Sequence, residues 1–200
     1  ALYARGVPQT STHGEIVTSL IASKSVGVSP KATIVSVPLA INTTISQFDI
    51  LEALDSVLLD PMRPPVSVVL CAWGIPKNRL LDSKITELQE AGIVVVAAAG
   101  NKGIAADYIS PVGLDTVIGV GACDAFDRVI PWETGSSNWG PEVDVFAPGV
   151  DITAFDKNGF IIVSGTSAAA AIAAGVAAQI ISRHSEMTAA QVQKHLTDSA

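Results

Sequence analysis

Ile93-Val94-Val95-Val96-Ala97-Ala98-Ala99-Gly100-Asn101-Lys102-Gly103 is the stretch that decides the fold. Its first seven residues are apolar without alternation, the pattern of a strand covered on both faces. Gly100-Asn101 then ends it with turn chemistry. Working outward, residues 32–37, 66–71, 116–121 and 143–146 read as further strands, the last followed by Pro148-Gly149. Between them lie helical patterns. Residues 46–60 place Ile50, Leu51, Leu54, Val57 and Leu58 on one face, and a Pro-rich break at 61–65 ends them. Residues 81–90 turn Ile85 and Leu88 inward and stop at Gly92. Residues 166–183 form an Ala-rich helix, and a last helix starts near Thr188, a suitable N-cap. Apolar strands separated by helices predict an α/β domain of three layers, with a mainly parallel sheet between helices. Ligands of such sheets sit at the carboxyl ends of the strands. The loops of interest therefore follow Cys71 and Ala99 and surround residues 164–167.

Composition narrows the function classes. Two hundred residues suit one domain, and 48% hydrophobic with 16% charged residues excludes a disordered chain. Aromatics are only 5%, so Ala, Val, Ile and Leu must build the core. Twelve Lys and Arg against nineteen Asp and Glu give a net charge of −7, with no basic cluster, which argues against nucleic-acid binding. Cys71 and Cys123 have no metal-ligand spacing and are too few for a disulfide scaffold. The most apolar stretch, residues 168–181, is interrupted by Gln179 and is shorter than the ~20 residues a bilayer requires. No apolar leader pattern opens residues 1–12, and no repeat or low-complexity run is visible.

Three short segments carry chemistry. In Ser11-Thr12-His13-Gly14-Glu15, Thr12 and Glu15 have capping-box spacing, which places His13 in the first turn of a helix. Ala99-Gly100-Asn101-Lys102-Gly103 follows the most apolar strand, and Ser164-Gly165-Thr166-Ser167 runs into the Ala-rich helix. Taken singly, each reads as a plain helix start or turn. Together, a Ser, a His and an Asn at one end of a parallel sheet are the parts of an acyl-transfer site. Serine needs a base to take its proton, histidine is poised to do so near neutrality, and an Asn amide can donate to the oxyanion.

On these residues the chain resembles the subtilisin-like serine proteases. His13-Gly14 resembles the family's His motif, residues 94–103 its oxyanion-Asn segment, and residues 110–122 the stretch that follows. Ser137-Asn138-Trp139-Gly140 and residues 143–149 match two further signatures, and Gly165-Thr166-Ser167 matches the nucleophile motif. The resemblance implies Ser167 as nucleophile, His13 as general base and acid, and Asn101 as oxyanion donor beside the Ser167 N–H. It implies that Ala72-Trp73-Gly74 pairs with an extended substrate, although Trp73 also reads as a core residue. Ala98, Ala99 and Gly100 would line the pocket for the residue before the cleaved bond.

The departures are equally specific. The family order is Asp, His, Ser, with the Asp on a strand upstream of the His. Only twelve residues precede His13 and none is acidic, so both the Asp and its central strand are expected to be missing. The resemblance places neither Asp49 nor Asp55 to replace it. Ala72 stands where the family usually has Ser, and Ala168-Ala169-Ala170-Ala171-Ile172 replaces the usual Met-Ala-Ser/Thr-Pro-His. Residues 16–27 contain no carboxylate, so the tight calcium loop some subtilases carry there is absent; no cofactor is expected, and calcium elsewhere is left open. Two function readings stand. One is a secreted endopeptidase domain spanning residues 1–200, incomplete at its amino end and trimmed at its carboxyl end. It would act on a peptide or protein substrate, and an N-terminal fragment or propeptide of the same protein would supply the Asp. The other is a degenerate subtilase-like domain that binds peptides or partners without cutting. A generic α/β binding module would leave the ordered motifs to chance.

Overall fold

The computed structural model describes residues 2–4, 12–37, 46–64 and 66–200. In chain order the elements are β1 (Leu2–Ala4), α1 (His13–Ala22), β2 (Ile34–Ser36), α2 (Gln47–Leu58), β3 (Ser67–Cys71), β4 (Ile75–Pro76), α3 (Arg79–Glu90) and β5 (Ile93–Ala98). They continue as β6 (Ile109–Ser110), β7 (Ile118–Cys123), β8 (Val145–Pro148), β9 (Ile152–Asp156), β10 (Gly159–Val163), α4 (Thr166–Arg183) and α5 (Ala189–Asp198). Six strands form one parallel sheet in the order β2-β1-β3-β5-β7-β8. Pro65, the end of the expected Pro-rich break, lies outside the described residues.

Successive side chains of a strand point to opposite faces. On one face Val68, Leu70, Val94, Val96, Ile118 and Val120 meet α1, α4 and α5; on the other Val69, Cys71, Val95 and Ala97 meet α2 and α3. Both faces are dry, which is why the strands read as apolar throughout. Each Val or Ile so enclosed contributes about 1.5–3 kcal/mol. Helix α4 crosses β3, β5, β7 and β8, and its buried side is almost entirely alanine. Small side chains let it lie close to the sheet and to α1: a Cβ built on Gly175 would lie 3.9 Å from Ile21 Cα in α1 and 3.0 Å from Val28 Cβ in the loop after it. The alanine run after Ser167 is therefore explained by packing. Among the described residues, no helix is long and apolar enough to cross a membrane.

Several expectations are corrected. The sheet does not lack a strand between β2 and β3: Leu2–Ala4 fills that position, in parallel register with both neighbours. An antiparallel hairpin, β9–β10, precedes the Ser167 helix, and β4 pairs with β6, neither of which was expected. β7 starts at Ile118 because Val117 N–H still closes a turn onto the Leu114 carbonyl. Helix α3 starts two residues early because Asn78 caps it, accepting from Leu80 and Leu81 N–H.

Candidate active site

The N-terminus of α4 organises the site. Gly165 is its N-cap at φ 155°, a conformation that favours glycine, and Gly165 N–H donates to the Gly149 carbonyl at 2.7 Å. Ser167 is the second helical residue, so its backbone N–H belongs to the first-turn donors that have no intrahelical acceptor. Its Oγ donates to the Ala72 carbonyl at 3.0 Å, just beyond the carboxyl end of β3.

Asn101 reaches the same point from the end of β5. Its Oδ1 accepts from Thr166 N–H at 2.9 Å and from Thr166 Oγ1 at 2.8 Å. Two donors fix which end of the amide is oxygen, and Nδ2 is turned toward Gly165, whose built Cβ would lie 3.3 Å from it. Thr166 Oγ1 in turn accepts from Gly100 N–H at 3.0 Å. Thr166 thus ties the loop after β5 to the N-terminus of α4. The motif Gly165-Thr166-Ser167 does not by itself assign Thr166 this role; the signal for it is a hydroxyl at the first helical position beside a candidate oxyanion Asn.

His13 opens α1, which packs against α4. Burial lowers the imidazole pKa below its ordinary value, which favours the neutral ring. The expected capping box is absent: Thr12 has helical dihedrals and no side-chain cap bond, and the Glu15 carboxylate accepts instead from Lys157 N–H at 3.2 Å in the β9–β10 turn. The strand ahead of α1, Leu2–Ala4, carries no carboxylate.

The expected substrate-binding residues divide. Ala72 is buried and offers its carbonyl to Ser167. Trp73 packs on the α2/α3 core, with its Nε1 buried and unpaired. Gly74 is exposed, and a built Cβ there would meet Ile109 Cγ2 at 2.6 Å, so the β4–β6 pair can pass only beside a glycine. Ala98 and Ala99 are enclosed in the two opposite core clusters, and half-buried Gly100 adopts φ 105°. Among the described residues, no group of three His, Cys, Asp or Glu is arranged to hold a metal ion. Cys71 and Cys123 are both buried.

A serine and a side-chain amide converging on a helix N-terminus, at the carboxyl end of a parallel sheet, define a serine-hydrolase layout. The chain belongs to the subtilase family, a family of serine proteases whose sequence profile matches residues 3–200. It is similar to a cold-adapted subtilisin-like serine proteinase, with TM-score 0.84 and 26% identity over 96% of this chain and 72% of that one. It is also similar to the prenylagaramide maturation protease PagA, with TM-score 0.75 and 28% identity over 92% of this chain and 69% of that one.

Proposed function

We propose that this chain is an endopeptidase that cleaves peptide bonds through an acyl-enzyme on Ser167. His13, neutral by burial, takes the Oγ proton and returns it to the leaving amine, while Asn101 Nδ2 and Ser167 N–H hold the oxyanion. The observation that carries this reading is the grip of Thr166 on Asn101 Oδ1, which leaves the amide nitrogen facing the mouth of α4. A peptide or protein substrate lies extended along Ala72-Trp73-Gly74, with the backbone of Ala98, Ala99 and Gly100, and not the enclosed alanine side chains, behind the residue before the cleaved bond. A hydroxyl has one hydrogen, and Ser167 directs it at the Ala72 carbonyl. A substrate amide that takes this carbonyl frees the hydroxyl for His13. No cofactor enters these steps. The carboxylate for His13 comes from a segment outside residues 1–200, an amino-terminal fragment or propeptide of the same protein. By family, the enzyme works outside the cytoplasm.

A second reading, a non-cutting peptide-binding domain, is favoured by β1, which occupies the position between β2 and β3 without an acidic residue. Labelling with a fluorophosphonate separates the two. Ser167 Oγ bonds to phosphorus, fluoride leaves and His13 takes the proton. Labelling that disappears in Ser167→Ala supports the peptidase. An unreactive serine in the folded chain, even with an Asp-bearing upstream segment added, favours the binding domain.

A further inference from the structure

Residues 135–139 run beside the loop that carries Asn101, held by parallel bridges Lys102↔Ser136 and Ala105↔Trp139. Asn138 is the centre of this strap and is 1% exposed. Its Nδ2 donates to the Ala99 carbonyl at 2.8 Å, and its Oδ1 accepts from Lys102 N–H at 3.0 Å and Ile104 N–H at 3.1 Å. Its own backbone N–H donates to the Gly100 carbonyl at 2.8 Å. One residue therefore satisfies backbone groups on both sides of Asn101. The strap is anchored in turn: Ser137 Oγ donates to the Asn138 carbonyl at 2.9 Å and accepts from Ala122 N–H at 3.0 Å, at the end of β7. Only an amide of this length can donate to Ala99 and accept from Lys102 and Ile104 at once; Asp lacks the donor and Leu lacks both.

We propose that Asn138 is a positioning residue for the oxyanion donor: it fixes the backbone from Ala99 to Ile104, so that Asn101 Nδ2 stays aimed at the position where the oxyanion forms. Gly100 shows how closely the two parts fit. It adopts φ 105°, and a Cβ there would lie 2.4 Å from Asn138 Nδ2. Removing the side chain leaves three loop groups without partners, and the loop relaxes by moving. A displacement of about 1 Å at a group that acts on the transition state costs about 10²-fold in rate.

The inference rests on Asn101 being the oxyanion donor, and a double-mutant cycle tests the two separately. The readout is the rate constant for fluorophosphonate capture of Ser167, a single event measurable by mass even at a slow site. Asn138→Ala is expected to slow capture by about 10–100-fold while leaving the affinity for an uncleaved peptide, read by fluorescence anisotropy, within two-fold. In an Asn101→Ala background the same substitution should change the rate by less than two-fold, because nothing remains to be aimed. If Asn138→Ala does not fold, the cycle is run with Asn138→Asp, which keeps the acceptor for Lys102 and Ile104. Equal slowing with and without Asn101, or weakened peptide binding in step with the rate, overturns the positioning role. An Asn101→Ala variant that captures at the normal rate overturns the oxyanion assignment itself, and this inference with it.

Discussion

Replacing Thr166 with Val keeps the shape of a residue that is 1% exposed and removes only its hydroxyl. Two hydrogen bonds go: the donation to Asn101 Oδ1 at 2.8 Å and the acceptance from Gly100 N–H at 3.0 Å. Asn101 Oδ1 keeps the Thr166 backbone N–H at 2.9 Å, so the amide is loosened and not released. Gly100 N–H is left without its acceptor in a part-buried loop, which costs about 1–3 kcal/mol. For a chain of this length that is a fall in Tm of roughly 2–12 °C. Turnover should fall about ten-fold, well short of the loss from removing the donor outright, with KM unchanged. Thermal unfolding followed by circular dichroism, together with initial rates on a peptide anilide, measures both. A Tm within 1 °C of the parent would show that the hydroxyl carries no such bonds. A rise in KM at constant kcat would place Thr166 in substrate binding instead.

Two further outcomes follow from the same geometry. Asn101→Ala should lower kcat by about 10²–10³ with little change in KM, the range known for removing the corresponding donor from subtilisin; an effect confined to KM would reduce Asn101 to a turn residue. His13 contributes a pH dependence of stability. Burial lowers its folded-state pKa below the ordinary 6.5, so the unfolded chain binds the proton first. Its contribution is complete above about pH 6.5 and is lost as pH falls through the folded-state value. Urea titrations at pH 7.5 and 5.0 should show this loss, and His13→Gln should diminish it; an unchanged slope in His13→Gln would assign the dependence to other groups.

Legibility followed the range of the forces involved. Helix α4 was readable to both ends, since Gly165 precedes it and Arg183 closes it, and α5 was readable from Thr188, whose capping box with Gln191 is formed. The central strands were readable because enclosure on both faces leaves no alternation. The hairpin β9–β10 is not legible from hydropathy: Phe155, Phe160 and Ile162 point outward, so its exposed face is apolar and hides the period of two. Asn158-Gly159, with Gly159 at φ 121°, was the hairpin signal available. Strand β1 is three residues long and exists only through pairing with segments more than thirty positions away, which no local pattern reports. At the site, the serine, the amide and the helix start were legible as motifs. The straps that orient them, through Thr166 and Asn138, depend on contacts across 65 and 36 positions.

Strand β1 also sets the terms on which the carboxylate proposed for His13 can arrive. Leu2, Tyr3 and Ala4 pair with Ile34, Val35 and Ser36 on one side and with Val68, Val69 and Leu70 on the other. A strand carrying the Asp toward the start of α1 needs those same backbone groups, so it must displace β1. A hold of three residues is weak, because each backbone hydrogen bond contributes only about 0.5–1.5 kcal/mol net. A strand as long as β3, five residues, would win the position and bury more apolar surface against the core under α1 and α4. Supplying such a segment, with Asp at its carboxyl end, should therefore do two things together. The amides of Leu2–Ala4 should lose protection in hydrogen exchange while those of β2 and β3 keep it. Turnover should rise by at least 10³, since removing the Asp alone from subtilisin costs about 3 × 10⁴. A gain in turnover with β1 amides still protected would mean that the carboxylate reaches His13 by another route. Displacement of β1 with no gain would leave the site without peptidase chemistry and favour the binding domain.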